Sequence, residues 1–180
     1  MSFEHKAFIF DLSAFTRELK PLLESSLCLG DFDEVRNFIV DNKSVLVDPY
    51  EGEPLDEKWE DMIEDRDIHQ YGDFALTKYY SLADDQGLGG EWETFQEFIS
   101  DFRDLNFSPF LGLPLGVDGI FFDPGKMGSY FQSENEVSES LIKIKEVEWE
   151  LGNELLDSLK GYTELLERAV REKKGVYVTF

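Results

Sequence analysis

The clearest pattern along the chain is an apolar residue at every third or fourth position, which is the spacing of an amphipathic helix. It predicts one helix over 92–105 and a longer one over 134–172. The longer helix begins at a capping box, Ser133-Glu-Asn-Glu136. An unbroken helix over 134–172 would be about 58 Å long, which is too long for a compact domain of this size. We therefore expect a break near Gly152 or Gly161.

Shorter helical patterns occupy the first half of the chain. Ser13 is a candidate cap for a helix that follows the first apolar run. A second capping box, Asp31-Phe-Asp-Glu34, predicts a helix to about Asp41. Another helix is expected to begin at Asp56, and the pattern over 74–82 is compatible with either a helix or a strand.

Two short runs rich in aromatic and β-branched residues lie near the ends of the chain. They are Ala7–Phe10 and Val176–Phe180, and both favour strands that are candidates to pair with each other. Further short strands are expected at 44–47 and 120–122. These elements predict an α+β fold, a mostly helical single domain over 1–180 with a small sheet that includes the N- and C-terminal strands.

Charge changes the picture of possible partners. The 180 residues carry 39 acidic against 17 basic side chains, a net charge of −22. Such a surface repels nucleic acid and anionic membranes, so neither is an expected partner. With 42% hydrophobic and 14% aromatic residues the chain is expected to fold rather than stay disordered. It shows neither a signal peptide nor a long apolar run, which predicts a cytoplasmic protein without a membrane span.

The acidic residues are concentrated in one segment, residues 48–67, which holds ten carboxylates against Lys58 and Arg66, a net charge of −8. Opposite charge accelerates and selects protein partners, so the segment favours a module that binds a basic protein. Immunity proteins that neutralise basic nuclease toxins are an analogy drawn from charge. The candidate binding residues are Asp56, Glu57, Glu60, Asp61, Glu64, Asp65 and Asp67.

An alternative site lies in the near-neutral segment 107–132. It contains five glycines, three prolines and six aromatic residues, with a net charge of −1. Loops of this composition shape recognition surfaces, so the segment favours a small-ligand-binding protein or an enzyme. The candidate pocket residues are Asp118, Asp123, Lys126, Ser129 and Tyr130.

No complete catalytic motif is found. Phe8-Ile-Phe-Asp11 resembles the nucleophile strand of haloacid-dehalogenase-type phosphotransferases, but Ser13 stands where that family has its acid/base aspartate. Gly119–Ser129 resembles a phosphate-binding loop with one residue too many before Gly125-Lys126. We therefore assign no catalytic residues and lean against an enzyme.

Cys28 is the single cysteine, and its leucine neighbours predict a buried thiol. One cysteine and two histidines are too few for a disulfide framework or a multi-ligand zinc site, so we expect neither a metal nor another cofactor. The apolar stripe of the C-terminal helix is a candidate surface for a homodimer.

Four segments resemble a small family of acidic bacterial proteins whose function is uncharacterised, and the resemblance covers nearly the whole chain. They read PLDEKWED (54–61), DFALTKYY (73–80), GLGGEW (87–92) and FFDPGKMGSYFQ (121–132). The resemblance implies no activity and no site residues.

Overall fold

An antiparallel sheet organises the molecule. The computed structural model describes residues 3–99, 106–125 and 127–180. A four-stranded sheet has the strand order β1-β6-β5-β2, and β3 and β4 form a separate hairpin. The strands are β1 (Lys6–Phe10), β2 (Leu113–Pro114), β3 (Gly116–Val117), β4 (Ile120–Phe121), β5 (Tyr130–Gln132) and β6 (Gly175–Thr179).

The predicted pairing of the terminal strands is confirmed. β1 runs antiparallel to β6, with Ala7 opposite Val178 and Phe8 opposite Tyr177. β6 also pairs with β5, so it is an interior strand and is covered on both faces. This explains why its sequence is apolar at consecutive positions rather than at alternate ones.

Seven α-helices lie within the described residues and, together with the small sheet, confirm the predicted α+β fold. Short 3₁₀ turns at 43–45, 59–62, 82–84 and 148–150 connect them. The helices are α1 (Leu12–Glu18), α2 (Lys20–Leu29), α3 (Asp33–Asn42), α4 (Ile68–Leu76), α5 (Trp92–Ile99), α6 (Glu134–Val147) and α7 (Asn153–Glu172).

The C-terminal helical region follows the prediction closely. Ser133 and Glu136 form the capping box of α6, each side chain accepting a hydrogen bond from the other residue's backbone N–H. The helix breaks before Gly152, which is the residue that precedes α7, whereas Gly161 lies inside α7. For the predicted helix over 92–105, the described part is α5, and the remainder lies outside the described residues.

Two predicted helix caps are wrong. Asp11, rather than Ser13, caps α1, because its carboxylate accepts the backbone N–H of Ala14. α3 begins after Phe32 without a side-chain cap, since the carboxylate of Asp31 accepts the N–H of Asp33 instead. The cap of α1 is therefore two residues earlier than expected, whereas at α3 the expected aspartate accepts a backbone N–H without forming a capping box.

Two predicted elements in the acidic segment and just before it also differ from the structure. The helix expected from Asp56 is a single 3₁₀ turn over Trp59–Met62. The carboxylate of Asp56 accepts the N–H of Lys58, and such local bonds compete with a helix. At 44–47 the expected strand is replaced by a 3₁₀ turn over Lys43–Val45, followed by a bridge between Val47 and Pro54. For the ambiguous segment 74–82, α4 ends at Leu76 and turns follow it.

The sheet separates two hydrophobic clusters. On one face Phe8, Phe10 and Tyr177 pack with residues from α1 to α4. On the other face Val176 and Val178 pack with α6 and α7. Alternation along β1 and β6 therefore sends aromatic rings to one side and smaller side chains to the other.

Cys28 is exposed, which overturns the predicted buried thiol. The buried face of α2 is formed by Leu23, Ser26 and Leu27. Cys28, one residue further along the helix, is turned about 100° away from Leu27 and lies off this face. In contrast, most of the apolar stripe over 137–170 is buried within this chain, including Ile144, Leu159, Tyr162 and Leu166. A homodimer through that stripe stays a prediction.

Candidate functional site

A cleft of about 720 Å³ opens at the end of the sheet where β1 begins and β6 ends. Its walls come from β1, the segment 45–52, the C-terminal half of α4, the turns over 80–85 and the residues Thr179 and Phe180. Pro124 and Gly125 complete the rim. This size lies within the range of about 300–1,000 Å³ that is usual for small-molecule sites.

Asp73, in α4, lines this cleft and is only 9% exposed. Burial raises the pKa of Asp73 to about 7, because a charged carboxylate is poorly solvated there. The nearby carboxylate of Asp48 raises that pKa further, whereas a hydrogen bond from Tyr50 and the charge of Lys6 lower it. Perturbed carboxyls in clefts are a feature of functional sites.

Tyr50 lies in a loop over 48–53 that hydrogen bonds between its own residues close; we call it the closed loop. The carboxylate of Asp48 accepts the N–H of Tyr50 at 2.8 Å, and its backbone N–H donates to Glu53 at 2.8 Å. Thr77, which directly follows α4, fixes Val47, since its hydroxyl accepts the backbone N–H of Val47 at 3.2 Å. Burial and the nearby carboxylate of Asp73 raise the pKa of Tyr50 to about 12.

Phe8 and Tyr80 line the cleft, and Tyr177, which is outside the lining, packs against both of them. Tyr80 lies 4.7 Å from Phe8 and 5.3 Å from Tyr177, measured between ring centroids. Burial and the neighbouring Asp73 raise the pKa of both Tyr80 and Tyr177. The cleft therefore combines one buried carboxyl with an aromatic wall.

Sequence reasoning missed Asp73. The residue lies in a helical stretch, Tyr71–Leu76, in which every position is buried. A single carboxyl inside an apolar helical run was the available signal, because buried aspartate is rare unless it has a partner or a task. The many carboxylates just before it in sequence concealed that signal.

The acidic segment is anchored by apolar residues at intervals of four or five. Leu55, Trp59, Ile63 and Ile68 are buried in the core, and most of the carboxylates between them are exposed. The segment therefore presents its charges from a fixed backbone. The exposed members of the predicted binding set are Asp56, Glu57, Asp61, Glu64 and Asp65.

Other members of that set are engaged within the chain. Glu60 accepts two hydrogen bonds from Arg36, at 2.6 and 2.7 Å, and one from the hydroxyl of Tyr71 at 2.9 Å. These partners lower the pKa of Glu60, the Arg36 hydrogen bonds most. Asp67 caps α4 by accepting the N–H of Gln70 at 2.9 Å. The exposed Glu57 forms an ion pair with Lys43.

The pocket predicted in segment 107–132 is distributed over several environments. Asp118 is exposed in the turn between β3 and β4. Asp123 accepts the N–H of Gly128 at 2.7 Å and raises the pKa of the nearby Tyr130, after the larger effect of burial. Ser129 is buried against the hydroxyl of Tyr177, at 3.2 Å. Lys126 lies outside the described residues.

Asp11, from the strand that resembles a nucleophile motif, and both histidines have partners within the chain. Asp11 pairs with Lys174, and this hydrogen bond is the main cause of the lowered pKa of its carboxyl. The buried ring of His5 contacts the carbonyl of Phe110 through Nε2 at 2.7 Å and accepts the N–H of Leu88 at Nδ1, at 3.1 Å. The Nδ1 atom of His69 accepts the N–H of Asp123 at 3.0 Å. Both rings thus hold loops in place.

Among the described side chains, no three His, Cys, Asp or Glu residues are arranged to hold a metal ion. Within the same described ranges, no helix has both the length and the apolar character needed to cross a membrane. Comparison of the chain with protein-family models, with curated proteins and with solved structures gives no match.

Proposed function

We propose that this protein binds a basic protein partner through the acidic surface, defined as the exposed carboxylates Asp56, Glu57, Asp61, Glu64 and Asp65. The observation that carries the proposal is the anchoring of segment 48–67 by buried apolar residues. A fixed array of like charges loses little conformational entropy when a cationic surface docks on it.

The charge of the whole molecule supports the same partner. At −22 the chain attracts cationic proteins over long range and repels nucleic acid. Part of the local charge is neutralised internally, since Arg36 and Lys43 pair with Glu60 and Glu57. Asp61, Glu64 and Asp65 are exposed and follow one another closely, so they are the residues on which we base the test.

A pull-down from the lysate of the source cell tests the proposal. The wild-type protein is expected to retain a basic protein at low salt and to release it at high salt, because exposed charge pairs are screened. The triple variant Asp61→Asn, Glu64→Gln and Asp65→Asn should lose that protein.

A second triple variant controls for the change in net charge. Glu93→Gln, Glu139→Gln and Asp157→Asn neutralise three exposed carboxylates outside the acidic surface. This variant should retain the partner nearly as well as the wild type. Equal loss in both variants, or no basic protein retained at low salt, contradicts the proposal.

A small-ligand function is the second candidate, and the cleft favours it. Pro124 and Gly125 of segment 107–132 lie on its rim, while its lining does not include the described residues Asp118, Asp123, Ser129 and Tyr130. The candidate functional group on this lining is the buried carboxyl of Asp73.

A further inference from the structure

The charge inside the cleft favours one class of ligand. Its lining contains the carboxylates of Asp73, Glu51 and Asp85, and Lys6 is the one basic side chain among the described lining residues. Asp85 is engaged by the backbone N–H groups of Ala7 and Gly87, at 3.1 and 2.9 Å. An anion would meet net repulsion here, whereas a cation would meet attraction.

Asp73 lacks an ionic partner among the described residues. None of the described salt bridges includes it, and Lys6 acts on it through charge rather than through contact. The neutral hydroxyl of Tyr50 lowers the pKa of Asp73 but supplies no positive charge. A buried carboxylate is stabilised most strongly by a cation that also donates hydrogen bonds, and the cleft gives such a group access.

The walls suit the rest of such a ligand. Phe8, Tyr50 and Tyr80 present rings to the cleft, and Val45 and Val47 add aliphatic surface. Aromatic faces attract ammonium groups and also cover the apolar stem that carries them. Tyr50 is 63% exposed, so its ring is available at the entrance.

We propose that this cleft is a binding site for an organic cation, with a primary ammonium group placed against the Asp73 carboxylate and an apolar stem along Tyr50 and Tyr80. The ammonium group belongs either to a free small amine or to a lysine side chain of another protein. The chemistry of recognition is the same in both cases. The site is distinct from the acidic surface and does not depend on it.

The ligand binds the ionised form of Asp73, so its affinity depends on pH. The groups that act on this carboxyl are Lys6 of β1, Asp48 and Tyr50 of the closed loop, Tyr80 after α4 and Tyr177 of β6. Asp48 and burial favour the neutral acid, while Lys6 and Tyr50 favour the anion. Affinity is expected to fall about tenfold from about pH 8 to about pH 6, as the carboxyl takes up a proton.

Calorimetric titration of the full chain tests the proposal with 2-phenylethylamine as the probe. The neutral 2-phenylethanol and the anionic phenylacetate serve as matched probes of similar shape. The amine is expected to bind at least about tenfold more tightly than either one at about pH 8. A short blocked peptide, Gly-Lys-Gly, tests lysine as the source of the ammonium group.

The variant Asp73→Asn keeps the shape of the side chain and removes its charge. It should weaken binding of the amine at least about tenfold and abolish the pH dependence. Asp157→Asn, an exposed position on α7, should leave both unchanged. A thermal melt of each variant shows that the fold is retained.

The outcomes separate this site from the proposed function. Neutralising Asp61, Glu64 and Asp65 should leave the affinity for the amine within about twofold of the wild type, since screening weakens distant exposed charges. Binding of the alcohol as tightly as the amine, full binding by Asp73→Asn, or no binding of either the amine or the peptide overturns the inference. Binding of the peptide alone retains it and assigns the ammonium group to a protein.

Discussion

At the scale of the residue, the buried position of Asp73 makes the folded chain less stable once its carboxyl is ionised. Its carboxyl has a pKa of about 7 in the folded chain, whereas the usual pKa of an aspartate, which applies to the unfolded chain, is 3.8. The folded state therefore binds more protons than the unfolded state between about pH 4 and about pH 7. Within that window the stability contributed by the neutral acid is lost as the pH rises.

Asp73→Asn removes this dependence, because an amide stays neutral at every pH. Above about pH 7 the variant is expected to be more stable than the wild type by up to about 4 kcal/mol, and near pH 4 the two should be similar. Urea unfolding across this range measures the difference, with Asp157→Asn as the exposed control. A constant difference between variant and wild type from pH 4 to pH 8 would contradict the raised pKa of Asp73.

Single residues were also the hardest features to predict from sequence. The exposure of Cys28 depends on which face of α2 meets the core, and flanking leucines do not determine that. The position of Asp73 in a cleft depends on segments far apart in sequence, including Lys6 and Phe180. Local patterns carry no information on such contacts.

At the scale of the element, α6 shows how much two side chains at a helix start contribute. Ser133→Ala removes the acceptor for the N–H of Glu136 and is expected to cost about 1 kcal/mol in the free energy of unfolding. Ser138→Ala, within the same helix, is the matched control and should be neutral or slightly stabilising. The free energy of unfolding of both variants is measured by denaturant titration. A loss from Ser133→Ala that is no larger than the loss from Ser138→Ala would contradict a stabilising role of the capping box.

Long amphipathic elements were predictable because their period is a property of consecutive residues. The helix break at Gly152 followed from length, and the pairing of β1 with β6 followed from their β-branched and aromatic composition. The acidic segment was not predictable in this way, since the side-chain oxygens of Asp56 and Gln70 accept hydrogen bonds from nearby backbone N–H groups where a helix was expected. Side-chain competition of this kind depends on exact geometry rather than on period.

At the scale of the whole molecule, self-repulsion among the carboxylates opposes folding. The ion pairs within the chain are mostly exposed and contribute little. Screening of a net charge of −22 should therefore raise stability as salt is added.

We expect the melting temperature to rise between about 0.1 M and about 1 M sodium chloride, over which the Debye length falls from about 10 to about 3 Å. A gain of about 1 kcal/mol corresponds to about 2–4 °C in a chain of this size. Potassium chloride is the control and should act equally, since the effect is screening and not binding of one ion. A melting temperature that falls with either salt would show that the internal ion pairs dominate.

The place of β6 inside the sheet has a consequence for the order in which the chain folds. Its two neighbours are β1 and β5, so among the described strands β1 has no partner until residues 175–179 have been synthesised. Contacts this distant in sequence are formed late, after the entropy of closing a long loop has been overcome. On the ribosome the helices can form early, but the aromatic face of β1 stays uncovered by β6 until the last strand emerges. During that interval the apolar residues and the unpaired edge of β1 are exposed to aggregation.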